Sequence, residues 1–149
     1  MLFQIEKKVE RGKMDFYQED WVVTSDDSDY YKNIWDKGHL APASSFSDSS
    51  KNLNLTFSFL NYALQVDNLN RGEWAELEQQ VRDWSATLGN ISVRIELVFS
   101  DGHTILNTDA HVPTGFCKKL TFLNGSSRCF YFPNENTYQN WRSYESSCN

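Results

Sequence analysis

No stretch of this 149-residue chain approaches the roughly 20 consecutive apolar residues that a membrane-spanning helix needs. Net positive charge is also missing. Twenty Asp and Glu against 14 Lys and Arg leave −6 at neutral pH, with an isoelectric point near 5.0. That balance counts against a protein that coats nucleic acid by electrostatics alone. It does not exclude an enzyme acting on phosphates, because a divalent cation supplies positive charge where the phosphate reacts. Cysteine is scarce and odd in number: Cys117, Cys129 and Cys148 cannot form a closed intrachain framework. Cys117 and Cys129 flank a predicted hairpin and could meet across it, with free thiols an equal alternative. The first eight residues turn charged too early for a signal peptide. No transit peptide is read either, and the compartment stays open, with secretion favoured.

What is present is aromatic. Five Trp, seven Tyr and ten Phe within a 40% hydrophobic composition speak for a folded core. The length fits one domain over 1–149, with no repeat or linker. Trp74, Leu77, Val81, Trp84 and Leu88 recur at helical spacing and predict one amphipathic helix. Asn70 and Glu73 read as its capping pair, and Gly89 as its stop. Residues 92–99 predict a strand and 100–103 a turn; 116–123 and 128–132 predict a hairpin about Asn124-Gly125. Alternation over 55–60 predicts another strand, and Trp21–Thr24 a weak one. The polar stretches 24–29 and 44–54 read as loops, and 138–144 as a short helical segment.

The chemistry-bearing residues fall in two segments. In Asp36-Lys37-Gly38-His39, at the end of a short predicted strand, a neutral imidazole can take a proton from water. Gly38 removes a side chain where a phosphate backbone would approach. The second segment supplies Asn61, Gln65, Asn70 and Glu78. The Asn70 carboxamide oxygen suits Mg²⁺, which keeps most of its water shell and takes few protein ligands. On a continuous helix Glu78 would stand roughly 12 Å beyond Asn70, so it is expected to reach back to a metal-bound water.

These segments resemble the DNA/RNA non-specific endonucleases, the ββα-metal nucleases. Asp36-Lys37-Gly38-His39-Leu40-Ala41-Pro42-Ala43 is similar to the family's Asp-Arg-Gly-His-Leu-Ala-Pro-Ala, with Lys37 in the arginine's place. Asn61-Tyr62-Ala63-Leu64-Gln65 resembles its Asn-x-x-Pro-Gln, with Leu64 for proline. Leu69-Asn70-Arg71-Gly72-Glu73-Trp74-Ala75-Glu76-Leu77-Glu78 matches its Leu-Asn-x-Gly-x-Trp-x-x-Leu-Glu in full. Val112-Pro113-Thr114 and Phe132-Pro133-Asn134 continue the likeness.

The resemblance implies an α+β fold, a mainly antiparallel sheet carrying a long active-site helix. It implies phosphodiester hydrolysis of DNA and RNA to 5′-phosphate ends, with Mg²⁺ or Mn²⁺ as cofactor. His39 would be the general base, Asn70 the metal ligand, and Glu78 the holder of metal-bound water. Asn61 and Gln65 would orient the site, and Lys37 would replace the arginine's charge without its bidentate grip. Nucleic acid would be the partner, held through its phosphate backbone; no membrane is implied, and homodimerisation is left open. The family's C-terminal helix is shortened or missing after Asn134, which puts stability there in question. Two other readings stand beside this one. One is a catalytically weak or inactive nucleic-acid- or protein-binding homologue. The other is a metal site from His103, His111, Cys117 and Cys129, whose spacing matches no common zinc pattern.

Overall fold

The computed structural model describes residues 11, 12 and 14–148; the charged start, residues 1–8, lies outside them. Two antiparallel sheets organise the chain. Strands β1 (Trp35–His39) and β2 (Tyr62–Val66) form a ribbon in which Asp36 faces Gln65, Gly38 faces Ala63 and His39 faces Tyr62. Strands β3 (Ser92–Val98), β4 (Gly115–Thr121), β5 (Ser127–Pro133) and β6 (Glu145–Ser146) form the second sheet in that order. Helix α1 (Ser50–Leu55) precedes β2, and helices α2 (Asp67–Arg71) and α3 (Glu73–Leu88) join the two sheets. The expected α+β, mainly antiparallel architecture is what forms.

The core lies where α2 and α3 meet the second sheet. Leu69, Trp74 and Leu77 pack on Phe116, Leu120, Phe130, Phe132 and Trp141. Period-two alternation puts Phe116 and Leu120, and likewise Phe130 and Phe132, on one face of their strands. The Trp74 ring stands 5.3 Å from Phe116 and 5.7 Å from Phe132. Each such side chain contributes roughly 1.5–3 kcal/mol by leaving water. Burial fades along the predicted stripe: Trp74 and Leu77 are enclosed, whereas Leu88 is 56% exposed.

Several local expectations are corrected. Residues 55–60 are not a strand: Leu55 ends α1, Ser58 makes a single bridge to Tyr17, and Phe59–Asn61 is a 3-10 turn. The alternation misleads because Thr56, Phe57, Ser58 and Phe59 are all buried, so it marks no solvent face. The serine-rich stretch holds a 3-10 turn, Ala43–Ser45, and α1, whose cap is Ser49 accepting from the Asn52 amide at 3.1 Å. Trp21–Thr24 forms no strand. Residues 24–29 run into a 3-10 turn, Asp27–Tyr30, closed by a reciprocal Asp26–Asp29 capping box.

The helix predicted from Asn70 is two helices. Gly72, at φ −105° and ψ −114°, breaks the backbone between α2 and α3. Asn70 therefore lies within α2 and caps nothing, while the Glu73 carboxylate accepts the Trp141 amide. Gly89 does end α3, at φ 86°. The expected hairpin forms, but Cys117 sits opposite Tyr131 and stays a free thiol. Cys129 instead bonds Cys148. With Arg128 gripping Glu145 at 2.8 and 2.7 Å and Trp141 buried, this ties down the segment whose stability the sequence left in question.

Asn134 staples the two sheets together. Its amide donates to Leu64 O and Pro113 O, both at 2.9 Å, and its oxygen accepts from Val66 N at 2.9 Å. Asn134→Ala strands those backbone groups and should cost about 2–3 kcal/mol, read as a lowered urea midpoint at unchanged slope.

Candidate active site

Strand alternation sorts β1 into two faces. On one, Asp36 takes Asn70 Nδ2 at 2.8 Å and is gripped by Arg71 through Nε at 2.8 Å and Nη2 at 2.7 Å. Burial alone would raise the Asp36 carboxyl; the Arg71 guanidinium and Asn70 amide outweigh it and hold it below the usual carboxylate range. Since a carboxylate only accepts, the Asn70 nitrogen is committed to Asp36 and its Oδ1 is turned away from it. Gly38 shares this face, and its need for no side chain has a local cause. A Cβ there would stand 2.7 Å from Gln65 Cβ, so Gln65, not an approaching phosphate, occupies the space. Gln65 is buried, and its Nε2 has no partner among the described residues.

On the other face lie Lys37 and His39. The His39 imidazole sits edge-on to Tyr62 and Phe57, at 4.5 and 5.9 Å between centroids. Its Nε2 is 2.7 Å from the Tyr62 hydroxyl, which donates its proton to Thr56 O at 2.8 Å. A hydroxyl has one proton to give, so it accepts from His39, and this network assigns the Nε2–H tautomer. Nδ1 then carries the lone pair. Burial, helped by the nearby Arg11 charge, lowers the imidazole pKa from 6.5 to about 4, so the ring is neutral at physiological pH. The Lys37 ammonium pairs with Asp27 and stands 3.9 Å from the Phe16 ring, with Phe59 and Tyr30 nearby.

Asn61 spends its carboxamide on the turn after His39. It accepts from Ala41 N at 2.8 Å and donates to Ala41 O and Thr56 O at 2.8 and 3.1 Å. Beyond that turn opens a cavity of about 780 Å³, walled by Leu40, Pro42, Val81, Ile95 and Phe122. Glu78 and Lys118 face into it, with Lys118 Nζ 4.0 Å from Glu78 Oε1 and 3.6 Å from the Trp74 ring centroid. Burial pushes Glu78 up against the opposing pull of Lys118, and drives Lys118 down to about 8. Glu78 Oε1 has no hydrogen-bond partner among the described residues.

The structure thus joins Asn70 to β1 through Asp36, and joins the His39 carbonyl to α3 through the Trp74 indole at 3.3 Å. Glu78 lies on α3, beyond the Gly72 break, so its reach from Asn70 is not that of one straight helix. Four participants were not singled out from the sequence in their actual roles: Asp36, Arg71, Tyr62 and Lys118. Asp36 left a signal as a matched position of its motif, and Lys118 as a charge on the apolar face that Phe116 and Leu120 define. Among the described residues no three His, Cys, Asp or Glu side chains converge on a metal position.

A strand pair carrying the histidine, followed by a helix carrying the asparagine, is the ββα-metal nuclease fold. The match to the DNA/RNA non-specific endonuclease family model runs over residues 4–149. The chain is 35% identical to mitochondrial endonuclease G of Bos taurus over 124 residues, which is 74% of this chain and 42% of the relative. It is 33% identical to the Homo sapiens protein over 125 residues, with the same two shares. A solved structure of an EndoG/EndoGI complex, concerned with EndoG inhibition, superposes at TM-score 0.80 and 26% identity. That overlap covers 94% of this chain and 66% of the other. The chain belongs to the DNA/RNA non-specific endonuclease family, and spans less than half the length of the curated relatives it matches.

The depressed His39 pKa has a consequence for stability. Between about 4 and 6.5 the unfolded chain binds a proton that the folded imidazole refuses, so His39 makes the fold lose stability as pH falls through that window. His39→Gln removes the titration. Urea midpoints at pH 7, 5.5 and 4 should show the wild type losing ground to the variant on acidification; parallel profiles would refute the burial argument.

Proposed function

We propose that this chain is a Mg²⁺-dependent non-specific endonuclease that hydrolyses phosphodiester bonds of DNA and RNA to 5′-phosphate ends. The observation that carries this reading is the Asp36–Asn70 hydrogen bond, which engages the amide nitrogen and leaves the amide oxygen as a donor for a hard cation. Asn70 would hold the ion, with Glu78 contacting its waters; Mn²⁺, equally suited to oxygen ligands, would substitute. When bound, the ion neutralises charge on the phosphoryl oxygens and on the leaving 3′ oxygen.

The remaining work falls to the chain. His39 accepts the proton of the attacking water at Nδ1, while Tyr62 and Thr56 hold the ring and its tautomer. Asn61 keeps the turn after His39 in place, and Gln65 fills the space behind Gly38. Contact through the sugar-phosphate backbone would make cleavage indifferent to base sequence. His39 and Asn70 would act on the same phosphate.

One observation favours a second reading, a weakly active or inactive binding homologue. The Lys37 ammonium, at the family's arginine position, is occupied by Asp27 and by aromatic rings instead of facing solvent freely.

Plasmid incubated with Mg²⁺ separates the two readings. The wild type should degrade it and EDTA should stop the reaction; His39→Ala and Asn70→Ala should each lose at least about 100-fold in rate. Intact plasmid with the wild type, or equal cutting by either variant, would sink the enzyme. Asp36→Ala should raise the Mg²⁺ needed for half-maximal rate by about 10–100-fold, since it removes the partner that orients Asn70. An unchanged Mg²⁺ requirement would count against that orienting role.

A further inference from the structure

The segment between β3 and β4 brings the other two histidines together. It folds back on itself through Val112 N to Thr104 O and Leu106 N to Ala110 O, both 2.9 Å, with Ile105 bridged to His111. His103 Nδ1 lies 3.0 Å from Ser100 O. A carbonyl can only accept, so Nδ1 carries the proton and the Nε2 of neutral His103 keeps its lone pair. That Nε2 stands 2.6 Å from His111 Nδ1, which donates to it while no ion is bound and would bind an ion by moving its proton to Nε2. The Phe99 ring backs both imidazoles, at 5.3 and 6.4 Å. The two nitrogens therefore face each other from the two arms of a closed turn, one of them aimed by a backbone carbonyl as metal-binding histidines commonly are.

We propose that His103 and His111 form a two-nitrogen chelate for a borderline divalent transition-metal ion of the Ni²⁺, Cu²⁺ or Zn²⁺ class. Two ligands at adjacent positions of a tetragonal or octahedral ion with bonds of about 2.0 Å lie about 2.8 Å apart, and about 3.3 Å apart on a tetrahedral one. The observed 2.6 Å is close to the first spacing, and binding would turn the two rings so that both lone pairs point at the ion instead of at each other. Imidazole nitrogen prefers these ions to Mg²⁺, so the site is chemically distinct from the oxygen-donor site at Asn70. Among the described residues no third His, Cys, Asp or Glu converges here, so water completes the coordination. Cys129 is held in the disulfide with Cys148, which removes it from the four-residue site considered from the sequence.

Calorimetric titration of the tag-free chain with Ni²⁺ tests the assignment. The wild type should bind one ion; His103→Asn and His111→Asn should each weaken binding at least 10-fold, while His39→Gln should leave it unchanged. No binding by the wild type, or wild-type affinity in either Asn variant, overturns the proposal and leaves the contact as an ordinary hydrogen bond. Electron paramagnetic resonance of the Cu²⁺-loaded wild type gives a reading independent of any variant. Hyperfine structure from two imidazole nitrogens supports the chelate, and one or none refutes it.

Discussion

A half-buried carboxylate must be paired, and Asp36 is paired twice over. Leaving its charge unmatched beside the core would cost several kcal/mol, so the strand that carries it is drawn to the element supplying the partners. Asn70 and Arg71 supply them from one short helix. The same contact docks α2 on β1 and sets which way the Asn70 amide points. Because Leu69 is buried in the main core, α2 has no freedom to swing away. The orientation of a candidate metal donor thus follows from satisfying one acid.

The rest of the site divides by how completely its polar groups are spent. On the β1–β2 side they are committed: Tyr62 links His39 to the Thr56 carbonyl, and Asn61 clamps Ala41. These bonds make the turn after His39 rigid. Two buried atoms are not committed: Glu78 Oε1 at the cavity, and Gln65 Nε2 behind Gly38, have no hydrogen-bond partners among the described residues. Natural folds rarely leave such atoms orphaned, and where they do a functional explanation is the first to seek. Lys118, pressed against Trp74 and only loosely paired with Glu78, belongs to the same uncompensated floor.

Legibility from the sequence followed the range of the interactions. Helix α3, strand β3 and the β4–β5 hairpin announce themselves because their burial is one-sided and periodic. Residues 55–60 fail the same test because the consecutive residues Thr56 to Phe59 are all buried, with Phe16 against the Phe57 ring and Tyr62 against Phe59. Asn70 was visible as a donor by its place in a motif, but its assignment as a cap was wrong. Local spacing could not reveal that Asp36, thirty-four residues earlier, had the stronger claim on its amide. The disulfide is a similar case: spacing allowed Cys117 with Cys129, and strand register excluded it by setting Tyr131 opposite Cys117.

By itself, then, the order of residues determined the α+β class, the family and the identity of the chemical groups, because motifs and periodicity are properties of neighbours along the chain. Which atom of each group is free to act was decided only by tertiary structure. Whether an imidazole offers Nδ1 or Nε2, or an amide its oxygen, depends on the partner that consumes the other atom. For His39 that partner is a hydroxyl 23 residues away, and for Asn70 a carboxylate 34 residues away.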